Sequence, residues 1–537
     1  MKKIFALILV LLMLVPLVVA CKTGGGNDTN TNTNTNTNTN TNTTDTDTDT
    51  NTNVGGDKTA QEEIDAIKDS FRGQTINILA SGQFTGPGKA GAPWGQAELC
   101  IPTQAELDSY DPTNPEAVDP MTTGFGTKMN TQLMNRKNYV ETTYGVTLNY
   151  IDCNGPVMQA RLRTAAGNVD INGEVIHLAM PRVLEAQAIV IDQSVYDFNG
   201  SKFIDFDASY YNQEALDAYT LANRTFFLAG DISFLDEQTS HLIFYNMAIA
   251  KENQTFPDLY DIALKGEWTI DLLYSLASAV SENKDGIDGY SDKDKYGLGT
   301  RGLSDYYQYF GVYQVSKKDS VDGEIYYLSV RDDKVSTIIE QMIKANKNES
   351  YIRTNWDGDY VAMQAAFEEN RLLFYHEVIQ KLDYLGKKPE LQTGILPFPK
   401  LNIQQERYYS PSAAQSTLIC IPRATDDRDM SEAFIEILSS SASRYVMPAY
   451  YDMLKGNLYS EFAEESMRVL QEQIFPNMMY DQGHMFEYGG LVTGSIQGAS
   501  IDGNVNNFES AYANGYGAAE DKLIEWNTAY GSYSDEI

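Results

Sequence analysis

The side chains best suited to hold a metal ion lie in one short stretch, "ENKDGIDGYSDKDKYG" (282–297). Its oxygen-bearing side chains include Asn283, Asp285, Asp288, Asp292 and Asp294. Carboxylate and amide oxygens at this density suit Ca²⁺. The spacing departs from the EF-hand loop, because Ile287 stands where the third ligand should be and no glutamate closes the loop. Two interpretations stay open, a structural calcium site and a solvated acidic turn.

Two other stretches come close to known chemical motifs without completing them. His376 and Glu377 open a match to the His-Glu-x-x-His zinc motif, but Gln380 replaces the second imidazole. "GLGTRG" (297–302) has the glycine spacing of a dinucleotide-binding loop, but it follows the polar "SDKDKY", and we interpret it as a loop. The chain has only 4 histidines, so a histidine-based triad or metal cluster has little material. Pairs of carboxylates among the 74 Asp and Glu stay open as a catalytic site. Our expectation is nevertheless that the protein is not an enzyme and requires no cofactor beyond the calcium considered above.

Helical and strand patterns alternate along the chain. Thr59 and Glu62 form a capping box that opens a helix, and "TINILA" (75–80) after it predicts a buried strand. "KMNTQLMNRKNYVETTYG" predicts a helix that ends at Gly145. Further strands are predicted at "VTLNYI", "EVIHLAM", "RTFFLA", "SHLIFYN", "LLFYHEV" and "STLICIP", and further helices at "TIDLLYSLASAVS" and "MSEAFIEILSSS". This alternation predicts an α/β fold with a largely parallel sheet.

The N-terminus has the layout of an export signal. Lys2 and Lys3 precede an apolar run over 4–19, which is short for a membrane span. The run ends in "VVAC", which resembles the bacterial lipobox, in which a signal peptidase cuts before the cysteine and the new N-terminal cysteine carries lipid such as palmitate. The alternative is an ordinary cleaved signal with a chance cysteine. We expect residues 1–20 to be a lipoprotein signal peptide and Cys21 to be lipidated.

A repeat of Thr with Asn or Asp begins a few residues after Cys21, following "KTGGG". It has no apolar side chain that could offset the entropy of becoming ordered, so residues 21–58 are predicted to be a disordered tether. A flexible chain of about 37 residues spans roughly 30–40 Å r.m.s.. No second apolar run approaches membrane length, so the lipid is the only membrane anchor that we expect.

The charge balance excludes one class of partner. Lys and Arg total 40 against 74 Asp and Glu, a net charge of −34. Nucleic-acid binding needs clustered Lys and Arg, so we expect no nucleic-acid partner. Of the other cysteines, Cys420 lies in an apolar run and is predicted to be a buried thiol, whereas a disulfide between Cys100 and Cys153 stays open.

Four stretches together resemble bacterial extracellular solute-binding proteins of the sugar-binding, maltose-binding-protein-like superfamily. The first is "EWTIDLLYSLASAVSENKDGIDGYSDKDKYGL", in which Trp268 and Thr269 open a helix and Tyr296 follows the acidic loop. The second is "MQAAFEENRLLFYHEV", and the third is "GILPFPK" followed by "RYYSPSAAQSTLICIP". The fourth is "EAFIEILSSSASRYVMPAYYDMLKG". The loop over 81–120 and the segment after Tyr480 depart from the family pattern.

The resemblance implies two α/β lobes joined by a hinge, each assembled from discontinuous segments. Applied to this chain, it places lobe 1 at 59–235 and 412–450, and lobe 2 at 236–411 and 451–537. It implies a monomeric receptor on the extracellular face of the cell membrane. The receptor would bind a carbohydrate, which we expect to be an oligosaccharide, in the cleft and deliver it to the permease subunits of an ABC transporter by closing its lobes.

A sugar site needs flat aromatic faces together with carboxylates, amides and hydroxyls, and open α/β lobes bind ligands outside the carboxyl ends of strands. We therefore selected aromatic and polar residues just past predicted strand ends or in neighbouring loops. The predicted ligand-binding residues are Gln83, Phe84, Trp94, Tyr306, Tyr307, Trp356, Asp357, His376, Glu377, Tyr408, Tyr409 and Ser410.

Two other classes of function remain open from the residues alone. A surface polysaccharide hydrolase would need two carboxylates about 5–10 Å apart in a cleft, and turnover of a glycan would reveal it. A non-catalytic adhesion or scaffold protein would not be stabilised by any small ligand.

Overall fold

The structure is a computed structural model. It describes residues 58–80, 97–114, 117–122, 124–153, 155–163, 169–253, 255–287, 291, 293–300, 306–321, 323–347, 352–354, 360–388, 390–483, 503–504 and 506–532. Cys21 and the whole tether, as well as Gln83, Phe84, Trp94, Trp356 and Asp357, lie outside this part of the chain.

The strands form two main sheets and several short pairs. Their bounds are β1 Thr75–Ala80, β2 Thr147–Asp152, β3 Leu178–Met180, β4 Thr220–Leu221, β5 Arg224–Thr225, β6 His241–Asn246, β7 Tyr296–Thr300, β8 Val315–Ser320, β9 Gly323–Leu328, β10 Ile352–Thr354, β11 Leu372–Val378, β12 Thr393–Leu396, β13 Ser410–Pro411 and β14 Met478–Met479.

Helices cover both sheets. Their bounds are α1 Ala60–Ile67, α2 Gln104–Ser109, α3 Thr127–Tyr144, α4 Gly155–Arg163, α5 Val183–Ile191, α6 Gln213–Tyr219, α7 Leu235–Gln238, α8 Met247–Glu252, α9 Leu259–Leu264, α10 Ile270–Val280, α11 Tyr306–Tyr309, α12 Val335–Lys347, α13 Tyr360–Glu368, α14 Leu382–Leu385, α15 Arg428–Tyr445, α16 Met447–Asn457, α17 Ala463–Val469 and α18 Asn506–Gly531.

The first lobe is built on a three-stranded parallel sheet in the order β2-β1-β3. The capping box at Thr59 forms as predicted, and α3 ends at Gly145, whose φ of +69° is the left-handed conformation that glycine adopts without strain. Only part of the predicted strand "EVIHLAM" is in the sheet, as β3. The predicted strand "STLICIP" joins the lobe through isolated bridges, such as those of Cys420 with Ala179 and of Ile419 with Leu228.

The second lobe is built on a five-stranded mixed sheet in the order β10-β7-β11-β6-β12. β7 runs parallel to both β10 and β11, whereas β6 runs antiparallel to β11 and β12. β11 and β12 are fully buried, which matches their continuous apolar sequences. The prediction of a largely parallel sheet therefore holds for the first lobe, and the second lobe departs from it at β6.

The stretch "GLGTRG" was interpreted as a loop, and that interpretation was wrong for its first four residues. Tyr296–Thr300 is the buried strand β7, which lies between β10 and β11 in its sheet. Gly297 is needed because helix α10 packs directly on the strand: a Cβ at this position would lie 2.1 Å from the carbonyl oxygen of Ala277. The glycines thus permit close packing of a helix on a sheet, a requirement that a glycine-spacing motif does not reveal.

Helix α18, in the segment for which the family pattern had no counterpart, packs between elements distant in sequence. It contacts α5 of the first lobe and the β8–β9 hairpin. Trp526 stacks on Tyr326 with ring centroids 4.5 Å apart, and the Asn527 side chain bonds both the N–H and the carbonyl of Tyr326 at 2.9 Å. The hairpin, although encoded between two strands of the second sheet, also bonds to the first lobe, since Lys317 Nζ donates to Asp217 at 2.9 Å. Among the described residues, no helix has both the length and the apolar character needed to cross a membrane.

The contact between α10 and β7 predicts the effect of adding a single methyl group. Gly297→Ala should lower the free energy of unfolding by about 1–3 kcal/mol, because the new Cβ meets backbone atoms that cannot rotate away. Urea denaturation measures this change.

Gly456→Ala is the matched control. It lies in helix α16, nothing lies within 4 Å of an added Cβ, and alanine is the better helix former by about 1 kcal/mol, so stability should stay constant or rise slightly. Equal stability of Gly297→Ala and wild type would contradict the packing described here.

Candidate functional site

Three strands of the second sheet bring polar residues together at one end of the strands, which we call the sheet edge. β7 and β11 are parallel, so their last residues lie at the same edge. β6 is antiparallel to β11, and its first residue, His241, pairs with Val378 at that edge. Loops that follow the carboxyl ends of parallel strands are where α/β lobes bind ligands. The edge therefore combines residues from the ends of β7 and β11 with a residue from the start of β6.

Four buried side chains form a hydrogen-bonded group at this edge, which we call the imidazole cluster: His241, Thr300, Tyr309 and His376. The Tyr309 hydroxyl lies 2.9 Å from His241 Nδ1 and 2.8 Å from His376 Nε2, and Thr300 Oγ1 lies 2.8 Å from His376 Nδ1. A tyrosine hydroxyl has one proton, so Tyr309 donates to one imidazole and accepts from the other. The cluster fixes both rings at the centre of the sheet edge.

Aromatic rings enclose the cluster. Phe398 stacks on Tyr309 with ring centroids 3.9 Å apart and contacts the edge of His376 at 4.9 Å. Tyr306 meets Phe398 edge to face at 5.3 Å. These rings keep water from the imidazole cluster and give the edge an apolar wall beside its polar groups.

The edge of the first sheet carries fewer described polar groups. Asp152 ends β2 and is exposed. Arg182, two residues past β3, is neutralised by Glu185, since its Nε lies 2.9 Å from Glu185 Oε1. Cys153, the residue after Asp152, is a buried thiol, and burial raises its pKa to about 11. Cys420 is a buried thiol as well.

The chain passes between the lobes at residues 236–240 and 410–416, and the segment 478–480 packs against both passages. Asp236 is the point where all three meet. Its carbonyl oxygen accepts from Ser240 Oγ at 3.0 Å and from Ser412 Oγ at 3.5 Å, and its Oδ2 accepts from the Tyr480 hydroxyl at 3.0 Å. Backbone bonds reinforce the junction, for example from Ser412 N–H to the Met479 carbonyl at 3.0 Å. We call this junction the hinge node.

Some polar side-chain atoms of the hinge node have no hydrogen-bond partner within the described residues. Glu237 Oε2 and both amide atoms of Gln238 are buried and have no hydrogen-bond partner in the described part of the chain. Burial raises the pKa of Glu237 well above its usual range, and the charge of Asp236 raises it further. Burial also raises the pKa of Asp236, and it raises the pKa of nearby Asp231 to about 6.

Two cavities lie away from the sheet edge. One of about 300 Å³ lies beside the hinge node and is lined by Glu214, Asp217, Ala218, Tyr313, Val315, Ser316, Lys317, Tyr480 and Gln482. Its charged groups are already paired, Lys317 with Asp217 and Glu214 with Arg407 at 2.9 Å each. The other, of about 290 Å³, includes Tyr245, Met247 and Phe462 in its lining and lies at the opposite edge of the second sheet from the imidazole cluster.

The structure brings some of the predicted ligand-binding residues together. His376 and Glu377 lie at the second-sheet edge, both buried, with Tyr306 against the same aromatic wall. Tyr307 and Tyr408 are fully buried, and the Tyr408 hydroxyl accepts from the Trp268 N–H at 3.1 Å.

Tyr409 and Ser410 lie apart from that edge. Tyr409 is half-buried beneath the Arg407 guanidinium, 5.0 Å from its ring, and Ser410 is buried at the hinge node. All of these residues, together with those outside the described part, stay predictions as ligand contacts.

Within the predicted calcium loop, the described side chains bond to the loop itself. Asn283 Oδ1 accepts from Gly286 N–H at 2.6 Å, Asp285 Oδ1 from Ile287 N–H at 3.0 Å and Asp294 Oδ1 from Lys284 N–H at 2.8 Å. Asp288 and Asp292 lie outside the described residues. Over the described ranges, no three His, Cys, Asp or Glu side chains converge as a metal site. The calcium site stays a prediction.

Sequence reasoning missed His241, Thr300, Tyr309 and the hinge acids. His241 begins a strand, and a search past strand ends finds it only if that strand is known to run antiparallel. The sequence analysis singled out neither Asp236 nor Glu237, which stand in "LDEQ". The available signal was that these two adjacent acids stand shortly before β6, the first strand of the second lobe. Their burial becomes visible only in the structure, where the chain passes between the lobes at this point.

No protein-family model matches the chain, and no curated protein matches it. Solved structures do match. The ABC substrate-binding protein Lmo0181 from Listeria monocytogenes, in complex with cycloalternan, has a TM-score of 0.50 and 10% identity, over 83% of this chain and 99% of that chain. UgpB from Mycobacterium tuberculosis, in complex with glycerophosphocholine, has a TM-score of 0.50 and 11% identity, over 73% and 96%.

This chain has the substrate-binding-protein fold. The expected two-lobe α/β architecture is thereby confirmed. The GacH receptor of Streptomyces glaucescens also matches, with a TM-score of 0.48 and 13% identity over 84% of this chain and 98% of that chain. Within this fold, the imidazole cluster lies at the carboxyl edge of the second sheet.

The imidazole cluster predicts a measurable stability loss. Tyr309→Phe removes the hydroxyl shared by His241 and His376, and it should lower the free energy of unfolding by about 1–3 kcal/mol, because buried polar atoms lose a partner. Chemical denaturation of both proteins gives the difference.

Tyr516→Phe serves as the control, since its hydroxyl bonds Glu520 on the exposed face of α18 and its loss should cost less than about 0.5 kcal/mol. If the two variants are equally stable, the hydrogen bonds of the cluster are not formed as described.

Proposed function

We propose that the protein is a lipid-anchored extracellular receptor that captures a carbohydrate and delivers it to the permease of an ABC transporter. The observation that carries this proposal is the substrate-binding-protein fold, in which chain crossings at a hinge join two sheets. A fold of this kind binds its ligand between the lobes and closes on it by rotation at the hinge. The carbohydrate class, the anchor and the permease are our inference.

The chemistry of the second-sheet edge supports a neutral, hydroxyl-rich ligand. Imidazole, carboxylate and aromatic side chains lie together there, and these are the side-chain types that recognise the hydroxyl rim and the C–H face of a sugar. In the described arrangement they are buried, and the imidazoles bond to other members of the cluster. A phosphate-bearing ligand such as glycerophosphocholine favours Arg or Lys donors. Arg182, the described cation closest in sequence to a carboxyl strand end of the first sheet, is neutralised by Glu185.

A ligand screen tests the class of ligand. Full-length protein should show a raised melting temperature with linear or cyclic oligosaccharides and little change with monosaccharides or glycerophosphocholine. A ligand at 100 times its Kd adds about 2.7 kcal/mol to stability, which thermal-shift measurements detect readily. Stabilisation by glycerophosphocholine alone would overturn the carbohydrate assignment, and turnover of a glycan would show an enzyme instead.

The same sugar then locates the site by calorimetry. Trp94→Ala and Trp356→Ala should each weaken binding at least tenfold, equivalent to about 1.4 kcal/mol, if they stack on the sugar as the sequence predicts. Tyr516→Ala on the exposed face of α18 is the control and should bind like wild type. Unchanged affinity in both tryptophan variants would reject these two contacts and leave the ligand class standing.

The anchor is tested separately. Cys21→Ala should release the protein into the medium or leave it unprocessed, because the lipid acceptor is lost. Cell fractionation and the mass of the mature N-terminus report the result. A mutant that is processed normally and sediments with membranes like wild type would exclude lipidation at this cysteine, and Cys420→Ala controls for the loss of a cysteine elsewhere.

A further inference from the structure

The hinge node contains two adjacent carboxyl groups with an unequal supply of donors. Asp236 accepts from the Glu237 N–H at 3.0 Å through Oδ1 and from the Tyr480 hydroxyl at 3.0 Å through Oδ2. Glu237 Oε2 has no partner in the described part of the chain. Both residues are buried, Asp236 with 1% of its surface exposed and Glu237 with 8%. The environment therefore favours charge on Asp236 and disfavours it on Glu237.

The groups that face this pair from neighbouring elements are acids and tyrosines. Asp231 precedes it, Tyr480 reaches it from the third segment of the node, and Tyr450 and Tyr451 face it from α16. Tyr219 faces Asp236 from α6, and Asp383 faces Tyr450. No described lysine or arginine forms an ion pair with either carboxylate.

A second negative charge on the Asp236–Glu237 pair would have no described lysine or arginine to balance it. Two buried carboxylates in contact cannot both ionise without a large desolvation and repulsion cost. A proton held by Glu237 removes one of the two charges, and the pair then titrates as a unit. The raised pKa of both groups agrees with this arrangement.

We propose that Asp236 and Glu237 share one proton in the described arrangement of the lobes, and that loss of this proton to water opens the hinge. The node ties together the passages at 236–240 and 410–416 and the segment 478–480, so any change at Asp236 acts on all three. An ionised pair is stabilised by water, and separating the segments around it lets water enter. The receptor is then a pH-sensitive one, closed more readily at low pH. The inference extends the proposed function but needs no ligand for its test.

The direction of the pH effect follows from proton counting. The folded protein holds a proton that the unfolded chain gives up near pH 4, where ordinary carboxyl groups titrate. Stability therefore falls as pH rises from that value through the higher folded pKa of the pair. While the one proton is being lost, the unfolding equilibrium constant should rise up to tenfold per pH unit.

The experiment uses small-angle X-ray scattering and urea denaturation of the full-length protein at pH 5 and pH 8, without ligand. In wild type, the radius of gyration should increase and stability should fall at pH 8. Glu237→Gln, which keeps shape but cannot ionise, should show the compact radius at both values and lose up to one proton from the pH slope of stability. Asp236→Asn provides a second variant, whose single amide oxygen can accept from Tyr480 or from the Glu237 N–H but not from both. Its radius and stability should also respond less to pH than those of wild type.

Glu436→Gln is the control. Glu436 is a carboxyl of the first lobe whose pKa is also raised by burial, but it bonds Tyr210 and Tyr211 rather than the hinge node. This variant should change radius with pH as wild type does. A wild-type radius that is the same at both pH values, or an unchanged pH response in both hinge variants, would overturn the proposal. Either result leaves the ligand screen, and with it the proposed function, unaffected.

Discussion

The hydrogen bonds of Asp236 hold the two lobes in their described relation. Asp236 accepts hydrogen bonds from Ser240 in its own passage, from Ser412 in the returning passage and from Tyr480 in the segment 478–480. Each lobe has its own sheet, and one buried apolar core lies entirely within the first lobe. The core around the second sheet also includes Met129 and Leu133 of α3, so a rotation of the lobes would be absorbed at that contact as well as at the node. Hydroxyl groups on short side chains suit that role, because they can exchange partners without repacking a core.

The region beside the node shows how the second lobe is tied to the first. The β8–β9 hairpin pairs only with itself among the described strands, and its Tyr326 packs against Trp526 of α18. The Tyr326 hydroxyl donates to the Ala218 carbonyl at 2.8 Å, so the hairpin is attached to the first lobe. The β8–β9 hairpin, which lies between strands of the second sheet in sequence, therefore packs against the first lobe. Lobe boundaries drawn along the sequence do not capture such an exchange.

The imidazole cluster and the hinge node both bury polar groups, but they differ in how far these groups are hydrogen-bonded. In a buried environment each hydrogen bond that is not formed costs free energy. In the imidazole cluster the Tyr309 and Thr300 hydroxyls bond the imidazole nitrogens at 2.8–2.9 Å, His241 Nδ1 lies 3.4 Å from His376 Nε2, and stacked rings exclude water. At the hinge node, Glu237 and Gln238 have atoms without partners. A rigid scaffold element can be fully satisfied, whereas an element that moves must tolerate polar groups that are satisfied in only one state.

Local sequence by itself determined the elements whose causes are local. The capping box at Thr59, the glycine that ends α3 and the apolar run of β11 all act within a few residues, so each was predicted where it occurs. The sequence also carried enough pattern to indicate a two-lobe α/β architecture. Tertiary structure alone decided that Gly297 belongs to a strand, because the reason for that glycine is the backbone of α10, some twenty residues earlier in the chain. It likewise decided that His241 joins His376 and that Asp236 and Glu237 are buried, because strand direction and chain crossing set which distant residues meet.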